Sequence, residues 1–201
     1  MPKAAIVQLA VGPMENLAYL VADEDARLCA VVDPGWDAAM IIASAEKRGW
    51  KIDKVLLTHT HFDHVGALDE MASRAEGGVF AHGEDAGSID ESIPTTPTAD
   101  GTVIEVGSVR IECMHTPGHT PGSQCFLVDG SILTGDTLFI DGCGRVDLPG
   151  SDPDKMMASL RTLAALDPET IVYPGHDYGG RQSTLGELVR NNPYLSGIVE
   201  I

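Results

Sequence analysis

Thr58-His59-Thr60-His61-Phe62-Asp63-His64 decides how this chain is read. Three imidazoles and a carboxylate fall within the six residues from His59 to His64. Neutral imidazole with carboxylate is a normal ligand set for zinc, iron or manganese. The run just before it, residues 54–58, is short and apolar and predicts a buried strand. A strand-end loop lets several donors converge on one point, so the stretch predicts a metal site at a strand exit.

The elements on either side follow from pattern. Residues 6–11, 17–21 and 28–32 are short, rich in Val, Ile and Leu, and bounded by turn residues; they predict a strand meander. Pro34-Gly35 then leads into a helix predicted over 36–48, which stops at Gly49. Downstream, a second helix is predicted over 66–75, ended by Gly77-Gly78, and a strand over 79–82. Residues 84–100 are polar and carry Pro94 and Pro97, which predicts a long loop or a short helix plus loop. A second meander is predicted over 102–106, 109–115, 124–128 and 131–134, its last two strands joined by the hairpin pair Asp129-Gly130. Asp152 and Pro153 suit the N-cap and first position of a helix running to about residue 166. A strand at 171–173 and a helix at 184–190 complete the order. Strands, helix, strand, helix thus occur twice. The expected fold is α/β, a four-layer αββα sandwich with sheet on sheet and helices outside, formed as a single domain over 1–201.

Composition narrows the function classes. The 201 residues carry 13 Lys+Arg against 30 Asp+Glu, a formal net charge of −17. That balance counts against a nucleic-acid partner held through a basic face. It does not exclude small anions, because a metal or a local Arg reverses the field inside one cleft. The 43% hydrophobic and 21% charged fractions are those of a folded chain. At this length roughly 70% of the unfolded surface can be buried without disulfides. No apolar run approaches the ~20 residues that cross a bilayer. Met1-Pro2-Lys3-Ala4 lacks the pattern of a signal peptide. The expectation is a cytoplasmic protein with no membrane partner. Its four cysteines, Cys29, Cys113, Cys125 and Cys143, form no C-x-x-C pair and are expected as free thiols.

Three more donors stand where strands are predicted to end. His119 lies in the Gly/Pro turn Thr116-Pro117-Gly118-His119-Thr120-Pro121-Gly122-Ser123, Asp136 in Leu133-Thr134-Gly135-Asp136-Thr137, and His176 in Tyr173-Pro174-Gly175-His176-Asp177. Each is weak alone. Together with the first stretch they make five His and two Asp, enough for two metal ions sharing one carboxylate.

On these residues the chain resembles the metallo-β-lactamase-fold hydrolases over nearly its whole length. The resemblance runs through Val32-Asp33-Pro34-Gly35, the His-x-His-x-Asp-His core, Gly118-His119-Thr120, Thr134-Gly135-Asp136-Thr137-Leu138-Phe139 and Pro174-Gly175-His176. It implies an αββα sandwich with the metals at one edge. It assigns His59, His61 and His119 to a first metal and Asp63, His64 and His176 to a second, with Asp136 bridging. The implied cofactors are two divalent ions, zinc first, with iron or manganese as alternatives. Zinc β-lactamases usually carry Cys where Asp136 stands, which counts against lactam hydrolysis.

Within that superfamily the chain is similar to short bacterial glyoxalase II-like proteins. The stretches that carry this are Gly142-Cys143-Gly144-Arg145-x-Asp147-Leu148-Pro149-Gly150, Ser183-Thr184-Leu185-Gly186-Glu187 and Asn192-Pro193-Tyr194-Leu195. The resemblance implies a hydrolase of a small thioester or thiol conjugate. Asp63 and Asp136 would be catalytic as well as ligating, and Arg145 and Tyr178 would face the substrate. His176-Asp177-Tyr178-x-Gly180 resembles a sister group, the persulfide dioxygenases, which use a single iron; His59, His119 and Asp136 would then be its ligands. Glyoxalase II grips glutathione with a C-terminal helical region. Only 25 residues (201 − 176) follow His176 here, so a weaker hold on glutathione is expected.

Several neighbours have plainer readings. Asp33 is a turn former or an acceptor behind a ligand. His82 reads as a structural strand-end residue, and His115 as a strand-end group or a partner behind a ligand rather than a ligand itself. Cys143 reads as a packed thiol, and Cys29 and Cys125 as core. Arg145 is either an anion contact or one half of a loop ion pair.

Overall fold

Asn16–Asp23 is buried at every one of its eight positions, which requires cover on both faces. Alternate residues supply it. Leu17, Tyr19 and Val21 face one apolar layer and Ala18, Leu20 and Ala22 another, the period-two geometry of a strand in the middle of a sandwich. The computed structural model describes residues 3–197, so Met1 and Pro2 of the N-terminal stretch lie outside it.

The first sheet holds β1 (Ala5–Val11), β2 (Asn16–Asp23), β3 (Leu28–Val32), β4 (Lys51–Leu56), β5 (Val79–His82) and β6 (Thr95–Thr98), in that order. β1 to β3 form the antiparallel meander, and β3 to β6 run parallel. The second sheet holds β7 (Val103–Val106), β8 (Val109–His115), β9 (Gln124–Val128), β10 (Ser131–Gly135), β11 (Ile171–Pro174) and β12 (Ser183–Thr184), again in chain order. The parallel steps need crossovers. These are α1 (Ala38–Lys47) before β4, α2 (Phe62–Val65) and α3 (Leu68–Ala72) before β5, α4 (Gly83–Ala86) before β6 and α5 (Pro153–Ala164) before β11; α6 (Leu185–Asn191) follows β12.

Three apolar layers hold this together. Leu17, Tyr19, Val32 and Leu56 meet Ile111, Phe126 and Leu133 between the sheets. Ile41, Ala45 and Met71 cover the outside of the first sheet. Met156, Leu160, Leu163 and Leu188 cover the second. Each full burial of such a side chain contributes roughly 1.5–3 kcal/mol. The expected four-layer sandwich is the observed one.

Local chemistry explains the boundaries. Asp152 accepts from the Asp154 and Lys155 amides, both at 3.0 Å, with Pro153 in the first turn. Asp129 and Gly130 both have positive φ, 46° and 72°, as the tight hairpin demands. α1 begins two residues later than predicted, because Asp37 caps it and accepts from the Met40 amide at 3.1 Å.

Two predicted segments are corrected. The helix expected over 66–75 is replaced by two short ones, and the first begins inside the donor stretch. The break falls where the chain presses on the Pro34-Gly35 turn: the Ala67 amide donates to the Pro34 carbonyl at 2.8 Å. A Cβ at Gly66 would lie 2.1 Å from the Gly35 oxygen. The loop expected over 84–100 contains α4 and then β6. β6 is an edge strand, a position that tolerates the missing amide of Pro97.

Candidate metal centre

The seven donors meet at one end of the sandwich. His59 and His61 leave β4, and Asp63 and His64 stand on α2. His119 is in the β8–β9 turn, while Asp136 and His176 follow β10 and β11. Gln124 ties the sheets together beneath them. Its amide N–H donates to the Thr58 carbonyl, its side-chain NH2 to the Leu57 carbonyl, both at 2.9 Å, and its Oε1 accepts from Thr98 at 2.8 Å. Asp85 steadies the His119 turn by accepting from Thr120 Oγ1 and the Gly122 amide, each at 2.7 Å.

Two triads face the centre, His59, His61 and His119, and Asp63, His64 and His176. A third set, Asp33, His59 and His64, joins one ring of each, and within every set the donor atoms lie within 4.8 Å of one another. Asp136 spans the two triads. Its Oδ2 lies 3.5 Å from His119 Nε2 and 3.4 Å from His176 Nε2, and its Oδ1 lies 3.2 Å from His64 Nε2. A side chain at Gly175 is excluded, since its Cβ would stand 2.5 Å from Asp136 Oδ1.

Outer hydrogen bonds fix which nitrogen turns inward in four of the five rings. His64 Nδ1 faces Asp33 Oδ2 at 3.0 Å, His119 Nδ1 the Arg145 carbonyl at 2.9 Å, and His176 Nδ1 the Met14 carbonyl at 2.8 Å. These acceptors hold a proton on Nδ1 and turn Nε2 inward. Thr58 Oγ1 donates to Asp33 Oδ2 at 2.6 Å, so at 3.1 Å it accepts from His59 Nδ1. His59 Nε2 then points into the centre. That atom and Asp136 Oδ1 are buried without a hydrogen-bond partner. His61 Nδ1 approaches His119 Nε2 at 2.8 Å. Orphaned buried acceptors and facing imidazole nitrogens are costly in a protein interior, and divalent cations satisfy both. The residues present fit the metal ions that the fold implies.

The electrostatics agree. Burial pushes the His59 pKa well down, reinforced by His64. Burial opposes protonation of His64 too, but the Asp136 and Asp33 carboxylates outweigh it and raise its pKa well above the usual value. At His176 burial is likewise outweighed, by hydrogen bonds to Asp136 and Asp63, and the pKa rises to about 9. Asp63 is lifted by burial, yet His176, His64 and Asn16 bring it to about 2. Protons thus stand in for cations at the second triad.

Asp33 does both things expected of it. It adopts φ +50° in the turn and accepts from the Thr58 amide at 2.8 Å as well as from His64. His82 and His115 stack on each other, centroids 3.9 Å apart, in neither triad. Cys143 is half-buried and burial pushes its thiol up to about 11, which makes it a packing group. One contact went unread: Asn16 donates to Asp63 Oδ2 at 2.9 Å and accepts from Trp36 Nε1 at 3.1 Å. Its only sequence signal is an amide opening an otherwise apolar strand.

A cleft of about 350 Å³ opens over the donors, walled by Met14, Phe62, Phe139, Leu148, Pro149 and Tyr178. Tyr178 stacks on His176 with centroids 4.8 Å apart. Arg145 also lines it, but its guanidinium forks onto Asp147 at 2.9 and 3.0 Å. The rest state is therefore the loop ion pair.

A two-sheet αββα sandwich carrying a His/Asp cluster at one edge is a metallohydrolase-type architecture. The chain belongs to the metallo-β-lactamase superfamily, whose family model matches residues 11–176. It is 40% identical over 169 residues to a hydroxyacylglutathione hydrolase of Ectopseudomonas mendocina, covering 82% of this chain and 62% of that one. Among solved structures it is similar to ETHE1 from Myxococcus xanthus, with TM-score 0.87, 29% identity and coverage of 96% and 85%. It is also similar to TTHA1623 in a di-iron-bound form, with TM-score 0.82, 33% identity and coverage of 94% and 100%. No helix among the described residues is long and apolar enough to cross a membrane.

Proposed function

We propose that the chain is a metal-dependent hydrolase of small thioesters, with His59, His61 and His119 holding one divalent ion, Asp63, His64 and His176 a second, and Asp136 shared. The observation that carries this reading is the second triad: three buried donors complete it, and the same Asp136 reaches both triads. Zinc is the first choice of metal; the di-iron form of TTHA1623 makes iron the second. Divalent ions in these positions polarise a carbonyl oxygen and lower the pKa of bound water to about 7.

The chain's own residues supply position and exclusion. Asp136 and Asp63 present carboxylate oxygens to both ends of the centre, and their ionised state is enforced by the imidazoles around them. Phe62, Phe139, Met14 and Tyr178 shield the reacting carbonyl from bulk water. Beyond the donors, the proton carriers lining the cleft are Tyr178 and Arg145. Burial raises the Tyr178 phenol further, and Arg145 is engaged with Asp147. A leaving group that needs no proton suits such a cleft. A thiolate, with a free-thiol pKa near 8.5, meets that condition, whereas an amine does not. The hydroxyacylglutathione hydrolase relative supports the thioester class. This chain spans 62% of that relative, and the proposal takes in small acyl-thiols generally.

A second reading, a mononuclear iron persulfide dioxygenase, draws on Tyr178 stacked against His176 and on the likeness to ETHE1. One metal-analysed sample separates the two. The expected result is two ions per chain and thiol release from lactoyl-glutathione without oxygen uptake. Oxygen uptake with a persulfide donor, one iron per chain and no thiol release would overturn the hydrolase reading.

A further inference from the structure

The structure assigns Asn16 and Trp36 as a positioning relay that seats Asp63 and thereby sets occupancy of the second triad without touching the first. The inference rests on the two-ion reading above. Asn16 opens β2 and is buried to 2% exposure. A buried primary amide must place both its oxygen and its NH2, or leave a costly orphan. Trp36 decides which way round it sits. The indole N–H is a donor only, so the Asn16 oxygen must face it, at 3.1 Å. The NH2 is left to face Asp63 Oδ2, at 2.9 Å.

That oxygen is the one turned towards the triad: His176 Nε2 lies 3.4 Å away and His64 Nε2 3.6 Å. Asn16 therefore uses one lone-pair direction of Oδ2 and leaves the other aimed at the donor pair. The flanking backbone adds a second link: the Leu17 amide donates to the Gly175 carbonyl at 2.8 Å and the Asp177 amide to the Glu15 carbonyl at 2.9 Å, which sets Asn16 opposite His176. Two of the three donors of the second triad are thus placed from the start of β2, Asp63 by the Asn16 side chain and His176 by the backbone on either side of it. Asn16 makes no hydrogen bond to His59, His61 or His119. Trp36 in turn packs edge-on against Phe62, centroids 6.2 Å apart, beside the cleft mouth. Replacing Trp36 by Phe frees the Asn16 amide to rotate and offer its oxygen to an oxygen. Replacing Asn16 by Leu removes the donor and the acceptor together.

The test is a Zn2+ titration of the metal-stripped full chain against a competing chelator, read as two binding steps. It uses wild type, Asn16→Leu and Trp36→Phe, with folding checked by circular dichroism. Each variant is expected to weaken one step by about 10–100-fold and leave the other within twofold, as loss of an outer-shell partner does. A second readout uses Trp50→Phe, which leaves Trp36 as the sole tryptophan. Its emission should shift with one Zn2+ equivalent and not the other, and the added Asn16→Leu change should abolish that shift. Wild type binding two ions, with both variants keeping both affinities, would overturn the relay alone. Equal weakening of both steps would overturn its assignment to the second triad. A wild type that binds fewer than two ions would overturn the two-ion reading and the relay with it. Should Asn16→Leu fail to fold, Trp36→Phe, which keeps the buried amide, decides.

Discussion

The two triads differ in donor type and in what stands behind them: the first is three imidazoles, the second two imidazoles and a carboxylate. The first, His59, His61 and His119, is steadied by a hydroxyl and a backbone carbonyl, and His61 is only partly buried at the cleft mouth. The second, Asp63, His64 and His176, is buried throughout, with a carboxylate behind His64 and an amide behind Asp63. Charge and order are concentrated on the second. The donor sets and the partners that orient them both differ, which gives two sites of unlike affinity.

The largest expected effect erases the difference. Asp136→Ala should empty both sites and cost activity by several orders of magnitude, more than any single His change, because Asp136 alone reaches both triads. Elemental analysis and turnover on the same preparation check it; full occupancy with near-normal turnover would remove Asp136 from the centre. Next, His119→Ala should deplete the first triad while His115→Ala leaves metal content nearly intact. His115 stacks on His82 and hydrogen-bonds the Pro121 carbonyl, so both changes strike one turn and only one removes a donor.

Asp33→Asn should act on the second triad, weakening it by about 10–100-fold, because it loses the anionic acceptor behind His64. Chelator competition measures it, and an unchanged second binding step would count against the asymmetry.

The pH response sharpens the same contrast. In the metal-free protein, His176 has its pKa raised from 6.5 to about 9. The stability it contributes is complete below 6.5 and is lost as pH rises through 9. Asp63 works in the opposite sense: lowered from 3.8 to about 2, its contribution is present above 3.8 and is lost as pH falls through 2. Denaturant melts in chelator should therefore weaken between pH 6.5 and 9, by on the order of 1–3 kcal/mol. Saturating Zn2+ should flatten that window, because the ion replaces the protons. A flat chelator profile would mean that the second triad is not protonated. The smallest effect belongs to Arg145→Ala. With its guanidinium already held by Asp147, it should raise KM a few-fold and leave kcat nearly unchanged.

The ligand types were legible because they crowd together or sit in Gly/Pro turns at strand ends, and the layered order was legible from alternating apolar runs. The outer partners were not. Asn16 lies 47 residues from Asp63, and Asp33 lies 31 from His64. No local pattern encodes contacts made only when sheets assemble. β6 was hidden by Pro97, which forbids a central strand and permits an edge one. The split helix was hidden because its cause is a turn thirty residues upstream.

Each proposed triad takes two donors from the first half of the chain and one from the second. That division has a consequence for biogenesis. After His59 leaves the ribosome, 117 more residues (176 − 59) must emerge before His176 does. At ~5–20 residues per second this is on the order of ten seconds. The first triad has all its donors after 60 residues (119 − 59), and the second waits for the full 117. An early cation meets only a partial grip and leaves again, and the full grip appears when the second sheet closes on the first. On the two-ion proposal, metal selection falls at the end of folding, when the geometry rather than the order of arrival decides which ion stays.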